Sequence, residues 1–389
     1  MADVYNYTPR IDNHQMGWCW GNNDNGVNGD NSTVDRLTPV AVCGNHTFIQ
    51  IVRDLSHSIA LDKNGKAWAW GWNNRGELGC NNTTQYSTPI AVCGNHTFVF
   101  VQACQMSERL SMALDNHGKM WGWGYGARGK VGDNTTTDRC TPVAVCGNHT
   151  FVHINYNQQG FSSQNNTTAI DNHGMAWSWG GNSQGVLGDN AEVDRLTPVA
   201  VCGGHTFSFI SVSDKIAMGV DINGVSWSWG NDTRGALGHA TWYVNTCTPQ
   251  AVCGSQTFAM LAVGTDAVGA LDINGKAWSW GRGSESQLGQ GNLDDQSTPV
   301  AVYGTKTFCS IFQYRAWFQP YPAILIDPSG KGWGWGYNDR AGLGDNSTVN
   351  KCSPVAICGN HTFLFIQSGS VTRRRSPGGG VAYGWSFTY

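Results

Sequence analysis

Leu61-Asp62-Lys63-Asn64-Gly65-Lys66-Ala67-Trp68-Ala69-Trp70-Gly71-Trp72-Asn73-Asn74-Arg75-Gly76-Glu77-Leu78-Gly79 decides the fold. Asp62 opens and Gly65 closes a tight reversal. In Ala67-Trp68-Ala69-Trp70, period-2 alternation sets both indoles on one face of a pleated strand. The Trp-x-Trp-Gly phrase returns at Trp18, Trp68, Trp121, Trp177, Trp227, Trp278 and Trp333. Each copy is followed by a Gly-x-Leu-Gly-like turn and then by Thr-Pro-Val-Ala-Val-Cys-Gly-Asn-His-Thr-Phe or a variant of it. A period of about 50 residues without a helical segment reads as a propeller.

Each period holds four apolar runs of strand length, which in the second copy are residues 48–52, 58–61, 67–70 and 89–92. Pro89 is expected to open the fourth strand, where its missing N–H costs no ladder bond. The expected fold class is therefore all-β: a seven-bladed β-propeller of four-stranded antiparallel blades, with a surplus C-terminal hairpin or arm. Uniform repetition without a linker-like shift in composition argues for one closed domain over residues 1–372. Residues 8–12 and 18–20 supply the second and third strand types, and residues 363–366 the first. Joining the two ends would complete a blade as a clasp that removes an open sheet edge.

Residues 373–389 read as an arm carrying a degenerate eighth repeat, because Tyr383-Gly384-Trp385 aligns with Trp68-Ala69-Trp70. Arg373, Arg374 and Arg375 fall where the repeat has apolar residues, and three charges are not buried together without partners. Ser376-Pro377-Gly378-Gly379-Gly380 reads as a flexible tether. The arm, with Arg373, Arg374, Arg375, Tyr383 and Trp385 as candidate contacts, is expected to dock outside the ring and to support self-association.

The phrase Leu-Asp-x-x-Gly-x-x-Trp-x-Trp-Gly-x-Asn-x-x-Gly-x-Leu-Gly at residues 61–79, repeated with changes at residues 271–289, resembles the regulator of chromosome condensation repeat. The resemblance covers nearly the whole chain and implies a seven-bladed propeller. It implies no single activity, since such propellers serve as exchange factors, photoreceptors, ligase scaffolds and binding modules. The exchange-factor branch carries a basic N-terminal tail and a wedge insertion, whereas Met1-Ala2-Asp3-Val4-Tyr5-Asn6-Tyr7 holds no Lys or Arg. The ultraviolet-B photoreceptor branch is marked by Gly-Trp-Arg-His-Thr repeats. Here Asp54-Leu55-Ser56-His57-Ser58 and Gly264-Thr265-Asp266-Ala267-Val268 lack the Trp and Arg. Neither chromatin binding with nucleotide exchange nor light sensing is expected.

Composition narrows the classes further. Of 389 residues only 13% are charged, against 51 Gly and 18 Trp, as expected where glycines make turns and indoles pack blades. A net charge of −3 offers no basic surface for nucleic acid. No apolar run reaches membrane-span length, so membrane insertion is not expected, and the N-terminus does not read as a signal peptide. The expected setting is the cytoplasm or an assembled particle. Cys43, Cys93, Cys146, Cys202, Cys253 and Cys358 share one repeat position, too far apart for disulfides, and read as small buried hydrophobes in reduced form. His46, His96, His149, His205 and His361 recur because the repeat does, and read as turn histidines bonded to backbone rather than a metal ring. Asp62, Asp115, Asp171, Asp221, Asp272 and Asp327 read as turn carboxylates. Catalytic motifs and metal spacings do not appear, so the chain reads as non-enzymatic, with neither cofactor nor metal.

Function should lie where the repeats differ. With strands alternating up and down, the first-to-second and third-to-fourth connections share one face, which carries the variety. The face of the Asp-x-x-Gly and Cys-Gly-Asn-His-Thr turns is monotonous. Candidate binding residues on the variable face are Tyr156, Phe161, Trp242, Tyr243, Tyr314, Arg315, Trp317, Phe318 and Tyr321. Aromatics beside an Arg resemble a hot spot for a protein or a stacking platform for a glycan. Two function classes follow: a binding module for a protein or glycan, or a structural subunit of a larger assembly such as a virion, appendage or cell-surface lattice.

Overall fold

Turn and strand residues alternate so that each repeat folds as an antiparallel meander, and a computed structural model shows seven such sheets. It describes residues 9–54, 56–104, 109–156, 166–213, 215–311, 322–339, 341–359, 361–363, 366–367 and 386–387. In the second blade Phe48–Arg53, His57–Asp62, Ala67–Gly71 and Tyr86–Ala91 pair in chain order. The third to sixth blades start at Phe98–Ala103, Phe151–Tyr156, Phe207–Val212 and Phe258–Val263 and follow the same order; the seventh runs from Ser310–Ile311 to Lys351–Ala356. The first blade has three strands, Arg10–Ile11, Gly17–Gly21 and Arg36–Ala41. Among the described residues the only helical turns are Ala127–Gly129 and Thr233–Gly235, and no helix is long and apolar enough to cross a membrane.

First strands lie nearest the axis, where neighbouring blades approach closest. Gln50 Nε2 donates to the Val101 carbonyl at 2.9 Å, and the Val101 amide donates to Gln50 Oε1 at 3.1 Å. Fourth strands form the outer edge. Tyr86–Ala91 begins earlier than its apolar run, so Pro89 sits inside the strand rather than at its start. The outer edge tolerates this because a missing N–H there faces no further strand.

The two indoles of each Trp-x-Trp do different work. The first is half-buried, and its Nε1 donates to the turn carboxylate of its own blade: Trp68 to Asp62 at 3.1 Å, Trp121 to Asp115 at 2.9 Å, Trp227 to Asp221 at 3.0 Å. The second is buried in six of the blades and reaches the preceding one, as when Trp123 Nε1 donates to the Glu77 carbonyl at 2.9 Å. The core is thus a set of layers between blades, for example Ile59, Leu61 and Leu78 of the second against Phe98, Val101 and Trp123 of the third. Gly71, at φ +107°, ends the Trp strand at a register shift where a Cβ would lie 2.7 Å from the Ser56 carbonyl oxygen. Only glycine meets both conditions.

Three expectations are corrected. Four of the five repeat histidines lie tilted over the first indole rather than bonding to backbone, and His361 is exposed. Ring centroids lie 3.9 Å apart for His46–Trp68 and His96–Trp121, and 3.7 Å for His149–Trp177 and His205–Trp227. Burial against the indole holds the pKa of these four below the ordinary value, which suits a neutral ring. The repeat cysteines are free but half-buried, and Cys358 is exposed, because their turn sits at the rim of the monotonous face. The clasp is not formed among the described residues. Ile366–Gln367 pairs with Ser386–Phe387, and the ladder partner of Arg10–Ile11 among the described strands is Gly17–Gly21. Pairing two segments near in sequence loses less chain entropy than joining the two ends of the chain.

Candidate functional site

Antiparallel pairing in chain order places the first-to-second and third-to-fourth connections on one face. The third-to-fourth loop is rigid because the repeat asparagine fills it. Asn73 Oδ1 accepts from the Leu78 amide at 2.9 Å while its Nδ2 donates to the Asn82 and Thr84 carbonyls; Asn182 and Asn338 do the same. Ion pairs then tie the loop to its own outer strand in four of the blades, Asp30–Arg36, Asp133–Arg139, Asp189–Arg195 and Asp345–Lys351. Others tie it to the next blade, Arg75–Asp138 at 3.0 Å and Arg234–Asp295 at 3.0 Å.

Trp242 and Tyr243 stand out on this scaffold, 45% and 69% exposed beside Val244 at 50%. Asp232 pins their loop at both ends: the Tyr243 amide donates to its carbonyl at 3.0 Å, and its own amide donates to Asn245 Oδ1 at 3.1 Å. Tyr243 adopts φ +60°, so the loop holds both aromatics outward at some backbone cost. Tyr156 ends an inner strand. Phe161, the Tyr314, Arg315, Trp317, Phe318 and Tyr321 cluster, and Arg373, Arg374, Arg375, Tyr383 and Trp385 lie outside the described residues.

A second group went unnoticed in the sequence. The Arg109 guanidinium lies 5.2 Å over the Trp72 ring and donates to Asn74 Oδ1 at 2.8 Å. Arg75 lies 5.0 Å over Tyr125, with Lys130 at 4.9 Å from the same ring. Burial pushes the Lys130 amine down to about 8. The available signal was the residue after Trp-x-Trp-Gly, which runs Asn22, Trp72, Tyr125, Gly181, Asn231, Arg282, Tyr337 inside a fixed motif.

Beneath this group lies a Ser–His–Asp constellation. His57 Nδ1 is 3.1 Å from Asp54 Oδ2, and Nε2 is 2.8 Å from Ser111 Oγ. It is not a nucleophile. Ser111 Oγ donates its proton to the Glu77 carbonyl at 2.8 Å, so Nε2 must donate to Ser111, and Nδ1 donates to Asp54. Burial opposes the resulting imidazolium, but Asp54 outweighs it and raises the His57 pKa. All three side chains are buried, and the unit is a structural ion pair of the second blade hydrogen-bonded to Ser111 of the third. Among the described residues no group of three His, Cys, Asp or Glu side chains could hold a metal ion.

Residues 64–114 and 274–312 match the family model described as the Regulator of chromosome condensation (RCC1) repeat. The Ultraviolet-B receptor UVR8 of Arabidopsis thaliana is 25% identical over 253 residues, 61% of this chain and 53% of that protein. The mouse (Mus musculus) E3 ubiquitin-protein ligase HERC2 is 25% identical over 241 residues, 61% of this chain but 4% of the relative. The chain therefore spans about half the length of one curated relative and a small part of the other. Human WBSCR16 superposes with a TM-score of 0.67 at 16% identity, covering 90% of this chain and 96% of that one. Prp20p of Saccharomyces cerevisiae, whose structure is described with its binding to Gsp1p and histones, gives 0.66 at 17%, covering 95% and 94%. These two similarities establish the shared fold.

Proposed function

Starting from the premise that this chain is an RCC1-type β-propeller, we propose that it is a non-enzymatic binding module that recognises a protein through its variable loop face. The observation that carries this reading is the pair Trp242 and Tyr243, exposed on a loop pinned by Asp232. Rigid exposed aromatics lose little conformational freedom on binding and bury a large area, which is why they anchor interfaces. The Arg109–Trp72 and Arg75–Tyr125 stacks extend the surface toward the second and third blades with donors that suit acidic or carbonyl-rich partners. Protein partners of the superposed yeast Prp20p favour protein over glycan.

The test is crosslinking mass spectrometry on the native source, with photo-reactive groups placed beside Trp242 and, as control, beside His96 on the opposite face. Partner crosslinks confined to the Trp242 side, and lost in Trp242→Ala with Tyr243→Ala while the melting temperature holds, support the proposal. Crosslinks confined to the His96 side overturn it. A second reading, a structural subunit, is favoured by exposed apolar loop tips around the rim: Val34, Val193, Leu293 and Val349. Concentration-dependent sedimentation would separate it from the first.

A further inference from the structure

On the monotonous face the repeat sets the same few positions around the axis, and apolar residues recur there. In the second to sixth blades the first strand opens with a bulge, at register shifts between Phe48 and Gln50, Phe98 and Phe100, Phe151 and His153, Phe207 and Phe209, and Phe258 and Met260. The extra residue is left out of the ladder and its side chain is re-aimed. It is Ile49, Val99 or Val152 in three consecutive blades and Ser208 or Ala259 in the next two. Close by lies the second residue of the Asp-x-x-Gly turn, whose amide donates to the carbonyl just before the first strand, Asn116 to Thr97 at 3.0 Å and Ile222 to Thr206 at 2.9 Å. This residue is Lys63, Asn116 or Asn172 where the bulge is apolar, and Ile222 or Ile273 where the bulge is small.

Two different positions thus supply one large apolar side chain per blade, and all five are between 53% and 67% exposed. Turns and first strands form one band, since the Phe98 amide donates to the Gly65 carbonyl of the preceding blade at 2.7 Å and the Phe151 amide to the Gly118 carbonyl at 2.7 Å. Single exposed apolar groups are ordinary, but a run of them on five adjoining blades, bordered by charge, marks an interaction surface. The border is cationic, for Lys63, Lys66, Lys119, Lys276, Lys306 and Lys331 are all exposed on this face. Among the described residues the lysine ion pairs are Lys215–Asp266 and Lys351–Asp345, so these six have no carboxylate partner there. Arginines of the variable face are paired, as Arg139 with Asp133 and Arg234 with Asp295. Carboxylates of the monotonous face turn inward: Asp62 Oδ1 accepts from the Asn64 and Lys66 amides at 2.8 and 3.0 Å, and Oδ2 from Trp68 Nε1.

We propose that the axial part of the monotonous face is a second docking surface, and that it takes a segment of a partner protein in which apolar side chains stand beside carboxylates. The apolar side chains cover Ile49, Val99, Val152, Ile222 and Ile273, and the carboxylates reach the unpaired lysines at the border. A second copy of this chain does not supply that complement, because two such faces set lysines against lysines and turn no carboxylate toward them. The surface is independent of the Trp242 loop, which lies at the other end of the strands.

Selection of a displayed library of random dodecapeptides on the full chain carrying Trp242→Ala and Tyr243→Ala tests this with the variable-face anchor removed. Enriched peptides should combine aspartate or glutamate with leucine, isoleucine or phenylalanine. Their binding, read by fluorescence anisotropy of the synthetic peptides, should weaken as salt is added. Ile222→Asn with Ile273→Asn installs the residue that Asn116 and Asn172 already are in sister turns, and should weaken binding at least about tenfold while the melting temperature holds. Lys66→Met with Lys276→Met follows Met175 in the same way, and should weaken binding about threefold or more and flatten the salt dependence. No enriched peptide, enriched peptides without acidic residues, or equal binding to the chain with Ile222→Asn and Ile273→Asn overturns the proposal. Loss of concentration-dependent sedimentation in that same variant also overturns it and assigns the surface to a second copy.

Discussion

Replacing Asp171 by Asn tests how a turn carboxylate holds a blade together. Asp171 Oδ1 accepts from the His173 amide at 2.8 Å and the Met175 amide at 3.0 Å, and Oδ2 accepts from Trp177 Nε1 at 2.9 Å. Asn keeps an acceptor for the turn but turns an NH2 group toward the indole N–H, so it loses one bond and adds a donor clash. At about 1 kcal/mol net per bond, and somewhat more for a charged acceptor, the cost is about 1.5 kcal/mol; Ala, which loses all three, should cost about 3 kcal/mol. Trp177→Phe alone removes the indole bond, and in the double variant the clash disappears, so a coupling near 1 kcal/mol is expected from the cycle. Urea unfolding at pH 7 reads each value. Burial works to raise the Asp171 pKa, but the Trp177 indole and the two amides more than offset it and hold it below the ordinary value. A depressed folded pKa contributes stability above the unfolded value of about 3.9 that is lost as pH falls through the folded one. The gap between wild type and Asp171→Asn should therefore shrink below pH 4. An Asn variant as stable as wild type at pH 7, or a gap unchanged from pH 7 to pH 3, would refute the reasoning.

Three further outcomes follow from other residues. His57, with its pKa raised by Asp54 against burial, contributes stability that is complete below the unfolded pKa of about 6.5 and is lost as pH rises through the folded value; His57→Gln should cost most near pH 6 and least in alkali, read by thermal melting. Lys130, pushed down to about 8 by burial, releases a proton on folding that the unfolded chain keeps to about 10.4, so stability should rise with pH between those values. Lys130→Met should raise the melting temperature at pH 7 by an amount corresponding to about 1–3 kcal/mol and abolish that rise. Removing residues 373–389 should leave a cooperative propeller while weakening self-association in analytical ultracentrifugation; a chain that no longer folds contradicts placing those residues outside the ring.

Sequence alone determined the blade count, the strand order and the face on which variety collects, because these depend on local rules: period-2 alternation, Asp-x-x-Gly reversals and a repeat that returns seven times. Trp242 and Tyr243 could be singled out in the same way, as aromatics where sister repeats have Thr, Glu, Asp, Val or Leu. Tertiary structure alone decided what each repeated residue touches. The two indoles of Trp-x-Trp lie on one face of one strand, yet one bonds its own turn and the other the preceding blade. The histidines proved to be indole covers, and Arg109 met Trp72 across a gap in sequence that no motif spans. The His57–Asp54–Ser111 unit was invisible for the same physical reason: it arises where one blade packs against the next. That packing is set by the curvature of the ring, which brings together groups whose separation in sequence carries no periodic signal.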